Sequence, residues 1–379
     1  MPRGEIASLA PKAYYCPEWY AQEQAEVFRR CWLYVGTLAE LAEPGSWITV
    51  EQGGRSWIVT RTPDGLRCFR NVCSHRHSRI LDGERGCGPL RCAYHGWTYD
   101  ADGVPTGLPG QRDNFDLTPA ERLTLRLPQA RVANVGNFVF MAENPKGARP
   151  EDDMEQPAVD LLHKLSDTFA SPYVAGERVW AANWKAGVEN TLEPYHTAFV
   201  HTESIAEVAE IDGDMALYPH FSSEFHRLKE KSRNWWQAMA ESIGFTPSSV
   251  FGDYWHFHVH PNLCIGVTYG SLLSIQTFEP LSPERARLRH RLFLPDSAAP
   301  NMNAQQAALR QFLSEFNDRI LLEDQTPVES CQRGFHDAAS RALLGESEVR
   351  IGNFQRAIVA DLEYNRHRDQ SRVSCGSTP

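Results

Sequence analysis

The stretch CSHRHSRILDGERGCGPLRCAYH, Cys73 to His95, decides how the first part of this chain is read. It places Cys73 and His75 in one loop and Cys92 and His95 in a second, with sixteen residues between His75 and Cys92. Two thiolates and two imidazoles can hold zinc, which takes tetrahedral sulfur and nitrogen ligands. They can also hold a 2Fe–2S cluster, with two cysteines on one iron and two histidines on the other. Zinc fingers pair Cys with Cys and His with His, whereas each loop here supplies one of each type. That mixture suits a cluster lying between two loops, so that each loop reaches both metals. Short alternating runs surround the stretch: SWITVEQ, RSWIVTRT and LRCFRNV before it, RLTLRL and NFVFMAE after it, with turns at Gly53-Gly54 and Asp64-Gly65. Residues 41–145 therefore read as a small all-β module.

With Gly96-Trp97 after His95 and a turn at Asp82-Gly83, the pattern resembles a Rieske domain. Respiratory-chain Rieske proteins carry an extra disulfide between the cluster loops; Ser78 and Tyr94 stand at the matching positions, so the module resembles the ferredoxin and oxygenase branch. That branch implies a potential at the low end of the Rieske range, about −150 mV. Cys68 and Cys87 lie nearby without completing the paired spacing and read as buried thiols. His77 stands where the family often has glycine and reads as a loop or interface residue.

Outward from this module, PEWYAQEQAEVFRR (Pro17 to Arg30) predicts a helix, proline in its first turn and basic residues in its last, within an N-terminal segment 1–40 expected to pack on the second domain. The polar, proline-rich NPKGARPEDDMEQP marks a linker over 146–157. Beyond it, 158–379 mixes a helical stretch near Trp184 to His201 and strand-like runs (YWHFHVHPNLCIGVTYG, SLLSIQTFEP, RARLRHRLFLP). A long helix follows from about Asn303, interrupted or ending near Asp324. The fold class is α+β: an N-terminal all-β domain, then a domain built on an antiparallel sheet.

Composition narrows the function. Lys+Arg 38 against Asp+Glu 48 gives a formal charge of −10 over 379 residues, a poor match for nucleic acid. No apolar run reaches the ~18 residues of a membrane span, and the start lacks the apolar core of a secretory signal, so the expectation is cytoplasmic. In that compartment the nine cysteines are thiols or metal ligands.

The second constellation is NWKAGVENTLEPYHTAFVH, with Glu193, His196 and His201. Histidines five apart diverge by about 140° on a regular helix, so the helix must distort or end for both to reach one metal. Glu193, three before His196, can accept the proton of the imidazole nitrogen that faces away from a metal. Two histidines and one carboxylate make the facial triad of non-heme Fe(II) oxygenases.

Asn183-Trp184-Lys185, Glu189-Asn190, Glu193-x-Tyr195-His196 and His201 together resemble the catalytic signature of Rieske non-heme iron oxygenases, and the order of elements matches over nearly the whole chain. The resemblance implies a helix-grip (START-like) second domain. It also implies a third iron ligand in EDQTPVESCQRG, at Asp324, with Glu329 the matching glutamate and Glu323 the rival. Glu193 matches the family's bridging carboxylate, which implies contact with His196 on one chain and His95 on the next. The implied system holds a Rieske 2Fe–2S cluster on Cys73, His75, Cys92 and His95, and a mononuclear Fe(II) on His196, His201 and Asp324. It works as a homotrimer on dioxygen and a small organic substrate. No G-x-G-x-x-G follows a strand, so NAD(P)H electrons come through a separate reductase, with or without a ferredoxin.

The substrate expected first is an aromatic or heteroaromatic ring to be hydroxylated or dihydroxylated. The alternative is oxygenation or demethylation of a small N-methyl or quaternary ammonium compound; a pure electron carrier is a remote third, since it would not need the second domain. Pocket walls are expected from the segment after His201 and from strands between Trp255 and Tyr269. There Tyr254, His256, His258 and His260 alternate on one face, as a polar sheet face or pocket lining.

Overall fold

The computed structural model describes residues 5–210, 213–295 and 304–374. The chain divides into two compact units, Phe28–Asp153 and Met1–Val27 with Met154–Pro379. The segment expected as 1–40 thus splits at Val27, and the stretch expected as a linker over 146–157 is divided between them, with a helical turn at Pro150–Asp153. No helix among the described residues is long and apolar enough to cross a membrane.

In the first unit, beside a separate two-stranded pair at Thr98–Tyr99 and Pro105–Gly107, alternating apolar runs make a seven-stranded antiparallel sheet among the described residues: β1 (Leu33–Thr37), β2 (Ser46–Gln52), β3 (Arg55–Thr62), β4 (Gly65–Arg70), β5 (Arg85–Cys87), β6 (Gln129–Val135) and β7 (Phe138–Ala142). Their order in the sheet is β1-β7-β6-β4-β3-β2-β5. The run RLTLRL is no strand. Thr118 and Glu121 form a capping box with Pro119 in the first turn, and the helix Pro119–Thr124 results, because local capping outweighs a short apolar alternation. Cys68 is buried as expected, but Cys87 is exposed, because β5 is an edge strand with all its residues at the surface.

The second unit is built on seven described antiparallel strands: β8 (Val174–Trp180), β9 (Asp214–Tyr218), β10 (Phe221–His226), β11 (Tyr254–Val259), β12 (Leu263–Thr268), β13 (Leu272–Ser282) and β14 (Arg285–Phe293). The order is β8-β14-β13-β12-β11-β10-β9. Among its helices, α1 (Pro17–Glu23) is shorter than expected and passes into a π turn at Gln24–Phe28. Next come α2 (Trp184–Thr191), the single turn α3 (Thr197–Val200), α4 (Ala304–Asp337) and α5 (Val349–Ser374), the last unforeseen in the sequence. Residue 303, where α4 was expected to begin, lies outside the described residues.

α4 does not stop near Asp324. Pro327 removes a backbone donor within the helix, at about 3 kcal/mol. Leu313, Asn317, Leu321, Asp324, Val328 and Gln332 nevertheless form one buried stripe, and burial along it exceeds that cost.

α2 is fixed by a buried polar network. Lys185 Nζ meets Glu23 Oε1 at 2.7 Å with both side chains fully buried, and Trp184 Nε1 donates to Glu23 Oε2 at 2.9 Å. Four residues on, Glu189 accepts from Tyr14 Oη at 2.6 Å and Gln355 Nε2 at 2.9 Å; burial pushes its carboxyl up to about 7. Breaking such a pair strands a buried charge.

Candidate metal centres

The two loops of the first unit are conformational twins. Cys73 N donates to Ser78 O and His77 N to Cys73 O; Cys92 N donates to Trp97 O and Gly96 N to Cys92 O. The fourth residue after each cysteine has positive φ, 60° at His77 and 72° at Gly96. His77 therefore occupies a left-handed position that favours glycine, which gives that residue a backbone account without a ligand role. Both thiols lie in an apolar cluster with Ile58, Phe69, Ile80, Leu90 and Trp97, whereas His75 is half-buried and His95 exposed. The imidazole rings sit 4.6 Å apart, and His75 Nδ1 is buried without a hydrogen-bond partner. Desolvation, then His95 and Arg76, lower the His75 pKa, which suits a ring that could serve as a neutral ligand. An enclosed, unpartnered nitrogen beside two core thiols fits a cluster with its sulfur end inside and its imidazole end at the surface. Tyr99, unnoticed in the sequence, donates its hydroxyl to Cys73 Sγ at 3.1 Å.

In the second unit, Asn183 caps α2 by accepting from Lys185 N, and α2 ends before Glu193-Pro194. The helix restarts for only four residues, with His196 at its N-cap and His201 at its C-cap. Ending the helix at both histidines brings their rings to 5.2 Å, which an unbroken helix could not do. Asp324 reaches them from α4: its Oδ1 lies 2.9 Å from His201 Nε2 and 3.5 Å from His196 Nε2, and the three ligand atoms lie within 4.8 Å of one another. Glu323, the rival, is not in this set. Its Oε2 holds His201 Nδ1 at 2.7 Å and accepts from Ser204 Oγ at 2.6 Å. Glu193 Oε1 does the same for His196 Nδ1 at 2.5 Å. Glu329 accepts from Ala181 N at 2.9 Å, tying α4 to the residues before α2.

With each Nδ1 proton on a carboxylate, both Nε2 lone pairs point at Asp324 Oδ1, a buried oxygen without a well-formed hydrogen bond. Three bases facing one another require a cation. Burial lowers the His201 pKa, but Asp324 and Glu323 outweigh it and the net shift is upward. The set fits a 2-His-1-carboxylate iron.

The strand histidines lie apart from this set. His256 and His258 are buried on β11; His260 falls beyond its end and meets Asp361 at 2.9 Å.

Two family models match the chain: the ring hydroxylating alpha subunit (catalytic domain) over residues 160–363, and the Rieske [2Fe-2S] domain over 31–127. The glycine betaine monooxygenase oxygenase subunit of Chromohalobacter salexigens is 34% identical over 219 residues, 54% of this chain and 45% of that protein. The carnitine monooxygenase oxygenase subunit of Acinetobacter pittii is 24% identical over 371 residues, 96% of this chain and 94% of that one. The match thus spans about half the length of the betaine relatives. Among solved structures, a quaternary ammonium Rieske monooxygenase with L-carnitine superposes at TM-score 0.76 and 20% identity, covering 95% of this chain and 96% of that one. A naphthalene 1,2-dioxygenase with indole bound reaches TM-score 0.75 at 18% identity, covering 96% and 94%. At those identities both share the fold alone.

Proposed function

The chain belongs to the family of ring hydroxylating alpha subunits, and from that premise we propose that it is the terminal oxygenase of a Rieske non-heme iron system acting on a small quaternary ammonium or N-methyl compound. The observation that carries the substrate class is the likeness to glycine betaine and carnitine monooxygenase subunits. It favours the alternative reading over the aromatic ring expected first, for which the fold likeness is no discriminator.

In this proposal Cys73, His75, Cys92 and His95 hold the cluster, and His196, His201 and Asp324 hold the mononuclear iron. The chemistry supplied by the two groups when bound is single-electron delivery from the cluster and dioxygen activation at the iron. The chain's own work is orientation and timing. Glu193 and Glu323 fix the tautomers, keeping both Nε2 lone pairs on the metal side. Glu193 has a second task, facing His95 of an adjacent copy in a closed trimer. Tyr195 and Phe199 beside it are 62% and 74% exposed, and Tyr94 beside His95 is 56% exposed, apolar surface that such an assembly would cover. A separate reductase supplies the electrons.

The test is coupled turnover: loaded enzyme, surrogate reductase and NADH, with oxygen uptake followed on glycine betaine, carnitine, choline, naphthalene and benzoate. Uptake stoichiometric with product on an N-methyl compound is the expected result. Coupled uptake on the aromatic compounds alone would overturn the substrate class.

A further inference from the structure

On the helix-facing side of the second sheet, the middle of β13 is less tightly covered than on the other side. Leu272, Ser274 and Gln276 of β13 are half-buried, while Leu273, Ile275 and Thr277, pointing the other way, are 0%, 2% and 4% exposed. Tyr254 and Gly266 on the neighbouring strands are half-buried too. The half-buried side faces the iron ligands, because Thr191 at the end of α2 donates to Cys264 Sγ of β12, on the same face as Gln276, at 3.1 Å.

The register places His256, Gly266 and Ser274 side by side across β11, β12 and β13. Gly266 leaves a dent in that row. A Cβ there would sit 3.6 Å from the Tyr254 hydroxyl and 4.0 Å from Ser274 Cβ, so the phenol lies over the glycine and Ser274 borders the same dent. Ser274 Oγ and His256 Nδ1 are enclosed and lack a hydrogen-bond partner. Enclosed polar atoms without partners are rare and costly, and a ligand that satisfies them accounts for their retention. The carboxylate on this row is already committed: Glu224 accepts from Arg350 Nη1 at 2.9 Å and meets His226 Nε2 at 3.2 Å. Burial keeps the His256 imidazole neutral, and it pushes the Tyr254 phenol up to about 12, so both groups can donate. The Asp324 charge acts on that phenol as well, which places the row within electrostatic reach of the iron ligands.

We propose that Tyr254, His256 and Ser274 form a subsite for an oxygen acceptor, carboxylate or hydroxyl, borne by the same molecule whose N-methyl group is oxidised. The inference rests on the quaternary ammonium reading and deepens it. The floor grips the polar end, so the nitrogen end is left toward Asp324, His196 and His201. Neutral donors alone serve both oxygen types, and a substrate without the oxygen leaves them unpaired.

The test is calorimetric titration of the loaded enzyme with glycine betaine (carboxylate), choline (hydroxyl) and tetramethylammonium (neither), in wild type, Tyr254→Phe and Ser274→Ala. Equal iron content and melting temperature qualify each variant, and either variant suffices. The expected result is that glycine betaine or choline binds about tenfold or more tightly than tetramethylammonium, and that the preference shrinks toward unity in the variants. Whichever of the two binds better identifies the oxygen type. Equal binding of all three, unchanged by the substitutions, overturns the subsite and leaves the quaternary ammonium reading standing. In a parallel titration with benzoate and naphthalene, binding of either with none of the three overturns both.

Discussion

The two histidine pairs of this chain are built on opposite electrostatic plans. His75 and His95 sit at the surface end of a thiol pair, with Arg76 and His77 on the same loop, and the pKa of His75 is depressed. His196 and His201 each rest their Nδ1 on a carboxylate, and the pKa of His201 is raised. A cluster that must gain and lose an electron is served by neutral imidazoles without a counter-charge. A divalent ion that must stay put is served by a ring such as His201, made more basic by Asp324 in front of it and, to a lesser extent, by Glu323 behind it. The same side chain thus does two jobs, and the difference lies in the charges that surround the ring.

The largest effect expected from that contrast is loss of one metal without the other. His201→Ala should lose the mononuclear iron and all turnover while the reduced cluster keeps its EPR signal. Cys73→Ser should lose the cluster signal and loosen the first unit, since its thiol is 1% exposed within the apolar core. Iron analysis with EPR checks both. A His201→Ala protein with full iron content would break the comparison at its foundation.

The two glutamates separate next. Glu193→Ala should retain both metals and lose turnover about 100-fold or more, because its carboxylate is proposed to serve the neighbouring copy as well as His196. Glu323→Gln should weaken iron binding to the stripped protein by about 10–100-fold, with the cluster potential unmoved. Turnover near normal in Glu193→Ala would leave Glu193 a mere orienting group, equal to Glu323.

Glu189 sharpens the contrast from the other side, as a buried carboxylate whose hydrogen-bond partners are neutral. Its folded pKa is about 7 against an ordinary 4.5, so the native state keeps a proton that the unfolded chain releases. Stability from this group therefore falls as pH rises through that window, and the penalty is complete above it. Glu189→Gln can accept the same two hydrogen bonds without the charge. It should unfold about 1–3 kcal/mol less readily than wild type at pH 8, with the gain fading toward pH 4.5. Denaturant midpoints at the two pH values decide it, and a pH-independent difference would assign Glu189 a purely packing role.

The cluster loops were legible in the sequence because each ligand pair is local, two or three residues apart, and the turn between them repeats. The proposed iron ligands were only half so. His196 and His201 announce themselves by a spacing that a helix cannot use, but Asp324 stands 123 residues after His201 and was found through family resemblance. A residue-level signal did exist: Asp324 falls on the apolar stripe of α4 with Leu321 and Val328, and Glu323 falls off it. A charge at a core position needs a partner, which separates the two neighbours without any relative. Tyr254 and His256 were marked by their alternation as a polar face or pocket lining, but Ser204, Tyr99 and Ser274 had no such marker, since their meaning lies in contacts across the fold. The continuity of α4 through Pro327 was hidden for the same reason: local propensity stops a helix that tertiary burial extends.

The smallest effect tests whether the cluster side is tuned by hydrogen bonds. Tyr99 donates to Cys73 Sγ at 3.1 Å while its oxygen accepts from Ser74 N at 2.9 Å, so the phenol is held in place from both directions. A donor on a cluster sulfur stabilises the reduced, more negative state over the oxidised one. Tyr99→Phe removes that donor and little volume, and a net hydrogen bond of about 0.5–1.5 kcal/mol corresponds to about 20–65 mV for one electron. The midpoint in a redox titration should fall by that amount with the melting temperature nearly unchanged. An unmoved midpoint would mean that burial and the neighbouring cations set the potential, and the contrast with the carboxylate-backed iron site would then be one of charge alone.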